Sequence, residues 1–248
     1  MTECKPISTP IEKGLHLPAE KGNMNSNVPY RELIGCLTYA TLTTRPDLCA
    51  ATNCFSRFQS CYTKEHFTHA KRILRYLQAT GDLKLEYRKD EKAKILVGYA
   101  DSDWAGDRND SKSTSGYVFK LFGNTISWGT HKQNTVSQSS TEAEYAALAE
   151  TINEAVWIKE LIGELGIEIK HAITIHEDNQ STINAAQEPR NHKRMKHIAV
   201  KFNYVRDTIN KEIIQLKYIP TGEQIADIMT KGLGRIQFVK LRSDLNLV

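Results

Sequence analysis

The sequence predicts an α/β protein, a mixed five-stranded sheet with helices on its faces, preceded by a small helical subdomain. Two observations carry this. From residue 94 onward the predicted elements run β-β-β-α-β-α-α-β-α, three meandering strands and then strands separated by helices. Between Tyr30 and about Thr80 the apolar spacing is helical instead of alternating. The 248 residues fit one large domain or two small ones, and a hydrophobic content of 40% suffices for a core.

Residues 1–29 contain several prolines and little apolar periodicity, which reads as a loose leader or linker. In residues 30–90, Leu33, Ile34 and Leu37 are spaced for one helix face, and Phe67, Ala70, Ile73, Leu74 and Leu77 for another. Pro46 marks a helix boundary between them. Leu83, Leu85 and Tyr87 alternate with charged residues, as in an exposed strand. The sheet domain is expected over 91–235. Its first strand is the apolar run Ile95 to Ala100, ending at Asp101. Two strands, Gly116–Phe122 and Asn124–Trp128, meet tightly at Gly123. A helix follows from near Ser139 to about Leu165, stopped by Gly166. Then come a strand over Ala172–His176, a short helix from about Gln180 to Gln187, a helix over roughly Lys196–Asn210 and a strand over Glu212–Ile219. A last helix is expected to start at Thr221-Gly-Glu-Gln224, which fits a capping box. Residues 236–248 read as a C-terminal tail.

Composition narrows the function classes. The net charge of +4 permits contact with nucleic acid without requiring it. All five cysteines (Cys4, Cys36, Cys49, Cys54, Cys61) lie in the first quarter, with no C-x-x-C pair or zinc-like spacing. Reduced thiols in a cytosolic or nuclear protein are the plain expectation. The first residues contain no apolar signal core, and no apolar run approaches the roughly 20 residues that span a bilayer. The chain is expected to be soluble, with no membrane partner.

Four acids on four elements stand out: Asp101 in Y-A-D-S-D-W, Glu144 in S-T-E-A-E-Y, Asp178 in I-H-E-D-N-Q and Asp227 in Q-I-A-D-I-M. Each has an ordinary structural explanation. Asp101 could open a turn, with Asp103 and Asp107 as competitors in the same loop. Both Ser139-x-x-Glu142 and Thr141-x-x-Glu144 fit capping boxes. Asp178 or Asn179 could cap the following helix, and Asp227 suits the first turn of the last one. Glu144, however, precedes Leu148 by four residues and so lies along the core-facing edge of its helix, where an unpaired acid is costly. Carboxylates gathered at one point repel each other and imply a compensating cation. Hard oxygen ligands select Mg²⁺ or Mn²⁺, and a pair of such ions clamps the attacking and leaving oxygens of a phosphodiester.

These residues resemble a known family. Y-A-D-S-D-W-A-G-D, K-S-T-S-G-Y-V-F and V-S-Q-S-S-T-E-A-E-Y-A-A-L look like the ribonuclease H domain of copia-type retrotransposon Pol polyproteins. I-H-E-D-N-Q-S, N-H-K-R-M-K-H-I and Y-I-P-T-G-E-Q-I-A-D-I-M-T-K-G-L look like the same domain. Y-R-E-L-I-G-C-L-T-Y-A-T and A-K-R-I-L-R-Y-L resemble the segment that joins the polymerase to it. The resemblance covers nearly all of the chain from about Tyr30. It implies a ribonuclease H-like sheet and a thumb-like connection over 30–90. It also implies that Asp101, Glu144, Asp178 and Asp227 are the catalytic and metal-binding carboxylates. The implied cofactors are two Mg²⁺, with Mn²⁺ able to substitute. The loop before Asp227 lacks the histidine of cellular ribonucleases H, which puts His-assisted proton transfer in doubt.

The implied activity is cleavage of the RNA strand of RNA/DNA hybrids during reverse transcription. The implied partners are the hybrid and the polymerase portion of the parent polyprotein, and the implied location is a cytoplasmic virus-like particle, with the nucleus as the alternative. Hybrid is read through its minor groove and 2′-hydroxyls. The resemblance places Ser140, Thr141, Asn179 and Gln180 against that groove, although helix caps account equally well for them. Between Arg190 and Lys201 stand five basic residues and no acid, among them Lys193, Arg194 and Lys196. Phosphate contact and a solvated helix face both explain that cluster. A non-catalytic piece that binds nucleic acid or polymerase is the alternative, since the chain has no adjacent Asp-Asp pair of the kind copia-type polymerases use. A DNA transposase or integrase fits less well, because that group lacks the acid of T-E-A-E-Y.

Overall fold

A computed structural model describes residues 4–19, 27–89, 93–188 and 199–248. Five strands form the sheet: β1 (Leu96–Asp107), β2 (Lys112–Leu121), β3 (Asn124–Lys132), β4 (Ile173–Glu177) and β5 (Ile214–Tyr218). They lie in the order β3-β2-β1-β4-β5. The first three form an antiparallel meander, while β4 runs parallel to β1 and β5 parallel to β4. Parallel neighbours need crossovers. Helix α4 (Ser140–Glu164) joins β3 to β4, and α5 (Gln180–Gln187) and α6 (Ala199–Asn210) lie between β4 and β5. This is the mixed five-stranded sheet, flanked by helices, that the sequence predicts.

Strand alternation sends neighbouring side chains to opposite faces. On β2, Phe119 enters a core with α4, α5 and α6 through Leu148, Ile152, Ala185 and Phe202. Its neighbour Val118 enters a second core on the other face. That face is covered by the expected helical part, α1 (Tyr30–Thr43), α2 (Cys49–Ser56) and α3 (Lys64–Ala79), and by α7 (Asp227–Thr230) and α8 (Arg235–Asp244). Tyr30, Ile34, Phe55, Ile73, Met229 and Leu241 fill it. Pro46 opens a 3₁₀ turn between α1 and α2, at the predicted boundary.

Several expectations need correction. The strand predicted to stop at Asp101 continues to Asp107, because polar residues pair with β2 in register, Asp101 with Gly116 and Asp103 with Thr114. Asp101 therefore sits within a strand and is not a turn residue. The alternating stretch at Leu83–Tyr87 does not join the sheet. Leu85 instead forms an isolated bridge to Leu247, backed by Lys84 N–H to Val248 O at 2.7 Å. The expected helix at Thr221 is a single 3₁₀ turn with no side-chain cap, since the side chain of Gln224 turns inward and donates to Ala100 O (2.9 Å) and His176 O (3.4 Å). Its amide bridges the ends of β1 and β4 instead of closing a capping box. Residues 236–248 form most of α8 and bury Leu241, Leu245 and Leu247. Within the first 29 residues, Ile11 and Leu17 pack into the helical core, and Glu12 pairs with Arg72 at 2.8 Å.

Among the described residues, no helix is long and apolar enough to cross a membrane.

Candidate metal centre

The parallel pairing of β1 and β4 sets the site. Val97, Gly98 and Tyr99 align with Thr174, Ile175 and His176. Continued two residues further, that register brings Asp101 level with Asp178 at the carboxyl ends of the parallel strands, where α/β sheets place their ligands. By alternation both lie on the face of Tyr99 and His176, whose rings stack at 5.0 Å. Glu144 reaches the same point from the first turns of α4. Single oxygens of Asp101, Glu144 and Asp178 lie within 4.8 Å of one another.

The local caps explain why Glu144 and not Glu142 is free to do this. Ser139 Oγ accepts the amide N–H of Glu142 at 3.2 Å, and the Glu142 carboxylate accepts the amide of Gln138 at 2.8 Å. Glu142 is committed to the N-terminus of α4. Glu144 is 7% exposed, and its Oε2 has no hydrogen-bond partner. Burial, followed by the charges of Asp101, Glu177 and Asp178, pushes its pKa well above the usual carboxylate range.

Asp227 joins through a neighbour. Lys231 Nζ lies 2.8 Å from Asp227 Oδ1 and 3.5 Å from Asp101 Oδ2. Thr230 Oγ1 donates to Asp101 Oδ2, and Gln237 Nε2 donates to Asp227 Oδ2 at 3.2 Å. Burial and Asp101 push Asp227 upward in pKa against the opposing pull of Lys231. The approach of α7 depends on Gly116, the partner of Asp101 on β2. A Cβ there would lie 2.6 Å from Thr230 Cγ2 and 2.7 Å from Met229 Cβ.

Asp103 and Asp107 are not part of this group. Asp107 accepts from Lys132 and from Arg57 at 3.3 Å, and Asp103 curls over Gly106. A fifth acid, Glu177, is absent from the sequence expectation. It is fully buried beneath the cluster, with Oε1 accepting the Asn179 amide at 3.0 Å and Oε2 without a partner. Burial, then Asp178 and Asp101, raise its pKa well above the usual range. Strand alternation could have found it, since Glu177 follows Ile173 and Ile175 onto the α4 face.

The expected groove residues divide. Asn179 caps α5 by accepting the Thr182 amide at 3.2 Å, and Thr141 O accepts from Thr182 Oγ1 at 3.4 Å. Ser140 and Gln180 are exposed at the starts of α4 and α5. Lys193, Arg194 and Lys196 lie outside the described residues.

An all-oxygen donor set with an unpartnered buried carboxylate oxygen fits a hard divalent cation. The fold and this cluster define an α/β protein with an acidic group that could hold a cation, where the parallel pairing of its central strands ends. The chain is 36% identical, over all of its length, to the retrovirus-related Pol polyprotein from transposon RE2 of Arabidopsis thaliana. It is 40% identical, over 96% of its length, to that from transposon TNT 1-94 of Nicotiana tabacum. The chain belongs to this family of retrotransposon Pol polyproteins and spans 17% and 18% of the length of those two relatives. The solved LC11-RNase H1, in complex with RNA/DNA hybrid, superimposes on 54% of the chain and 93% of its own with a TM-score of 0.42 at 15% identity. No family model matches the chain.

Proposed function

We propose that this chain carries the ribonuclease H activity of a retrotransposon Pol polyprotein, a metal-dependent endonuclease that hydrolyses the RNA strand of RNA/DNA hybrids. The observation that carries the reading is the convergence of Asp101, Glu144 and Asp178 within 4.8 Å, with a buried oxygen of Glu144 left unpartnered. Asp101, Glu144 and Asp178 would hold one Mg²⁺ or Mn²⁺, and Asp101 with Asp227 a second. When bound, such ions supply an activated water and charge stabilisation at the leaving 3′-oxygen.

The residues of the chain do the rest. Glu177, beneath the cluster, fixes the turn after β4 through the Asn179 amide and so aims Asp178. Thr230 orients the Asp101 carboxylate. Ser140, Thr141, Asn179 and Gln180, at the starts of α4 and α5, would meet the 2′-hydroxyls and minor groove of a hybrid. Lys193, Arg194 and Lys196 would meet phosphates. Residues 91–235 would form the catalytic unit and 30–90 a connection to a polymerase, the proposed protein partner.

The test is hydrolysis of a hybrid labelled on its RNA strand, with Mg²⁺ or Mn²⁺, comparing the chain with Asp178→Asn. The expected outcome is metal-dependent cleavage by the native chain and its loss in the variant. Hybrid binding without cleavage in any metal would overturn the enzymatic reading and leave a non-catalytic binding role.

A further inference from the structure

The acids around the site are Asp101, Glu144, Glu177, Asp178 and Asp227. Among the described residues, their ion pairs all come from Lys231. Its ammonium pairs with Asp227 and Asp101, and Glu144 feels its charge without forming an ion pair with it. Three features hold it there. Lys231 directly follows α7, one turn after Asp227, so the i,i+4 spacing aims it back at that acid. Gly116 lets α7 lie against β2. Thr230 fixes the Asp101 carboxylate that completes the seat.

Two cations cannot share that seat, because like charges a few ångströms apart repel strongly in a buried setting. Among the described residues, no ammonium or guanidinium forms an ion pair with Glu144 or Asp178, which with Asp101 make the other seat. We propose that Lys231 is a tethered counter-cation that fills the second cation seat, so that the free chain takes one divalent ion tightly and admits another only when this ammonium moves away. The inference rests on the metal reading above and concerns only how many ions the resting site accepts.

The structure provides a place for the displaced side chain. Lys231 is 31% exposed and lines a cavity of about 350 Å³ with His16, Arg57, Asp103 and Arg108. Asp103, on that wall beside the guanidiniums of Arg57 and Arg108, offers the ammonium a third carboxylate. Lys231 is therefore a positioning residue that sets the resting charge of the site through Asp101 and Asp227.

The test counts Mn²⁺ ions bound per chain, without nucleic acid, by calorimetry and by electron paramagnetic resonance of free Mn²⁺. The native chain should bind one ion tightly. Lys231→Met and Lys231→Gln should bind a second, at least tenfold more tightly than the native chain does. Lys231→Arg, which keeps the charge, should keep the native count. Two neutral variants guard against a folding failure in either, and circular dichroism checks both. Equal counts and affinities in native and neutral variants overturn the inference. If the native chain also binds no Mn²⁺, the metal reading falls with it. One tight ion in all of them leaves that reading standing and removes only the role given to Lys231.

Discussion

The helical part and the sheet both bury aspartates, and they treat them in opposite ways. Asp47, beside α2, accepts from Arg45 through both oxygens, at 2.9 and 2.7 Å. It also accepts from the Tyr76 hydroxyl at 2.6 Å, and Tyr76 accepts in turn from Arg242 on α8. Arg45 continues to the carbonyl and hydroxyl of Thr80. Both oxygens of Asp47 and the guanidinium of Arg45 thus have partners in the chain. Where β1 passes the end of β4 the acids face each other, one lysine serves the group, and carboxylate oxygens of Glu144 and Glu177 have no partner. β1 holds both treatments six residues apart, since Asp107 is paired with Arg57 and Lys132 while Asp101 faces other acids. A buried acid whose partners lie in its own chain is structural, and one whose partners are missing marks where something else binds.

The largest effect should come from breaking the paired network. Asp47→Ala leaves Arg45 buried without its partner and should cost about 3–5 kcal/mol of stability, read from urea unfolding. Glu144→Gln should do the reverse. Hybrid cleavage should fall by about 10²–10³-fold, in line with removing one preorganised electrostatic group, while the metal-free fold loses nothing. Equal destabilisation by the two substitutions would erase the distinction between the regions.

Gly116→Ala tests the join between the sheet and α7. The added methyl meets Thr230 and Met229, and overpacking of that kind costs about 1–3 kcal/mol. It should weaken cleavage as well as folding, because the same shift moves Asp227 and Lys231 from Asp101. Unchanged cleavage would mean that α7 does not set the site.

The smallest effect is in pH, and its sign differs between the paired and the unpaired acids. Burial alone would raise Asp107, but Lys132, the Asn109 amide and Arg57 outweigh it and hold its pKa below the usual value. Its stabilisation is present above the unfolded carboxylate pKa and is lost as pH falls through the native one. Asp107→Asn should therefore unfold more easily than native near pH 7 and converge with it in acid. Glu144 is raised, so the native state keeps a proton that the unfolded chain releases. Metal-free native protein should lose stability relative to Glu144→Gln as pH rises from about 4, the ordinary carboxylate range. Parallel pH curves for the two variants would contradict these assignments.

Much of this was legible in the sequence where local chemistry decides. The bounds of α5 and the Ser139 start of α4 follow from caps and apolar spacing. What hid was decided at a distance. Hydropathy could not extend β1 past Ala100, because the pairing there runs between polar residues of β1 and β2. Thr221–Gln224 carries a sound helix-start pattern, and only the fold shows Gln224 bridging Ala100 and His176. The four proposed acids were legible as types on separate elements, and the spacing of Glu144 to Leu148 favoured it over Glu142, which the structure shows tied to the start of α4. Glu177 has no motif of its own apart from Asp178, and a lone lysine such as Lys231 carries no signal until its partners are known.

The central claim is that the unpartnered carboxylates await a divalent cation. It is tested most directly by the unfolding midpoint of the native chain and of Glu144→Gln, each with and without Mn²⁺ at neutral pH. The account predicts that Mn²⁺ raises the native midpoint clearly, and that Glu144→Gln starts higher without metal and gains little from it. A native midpoint that does not respond to Mn²⁺ would contradict it.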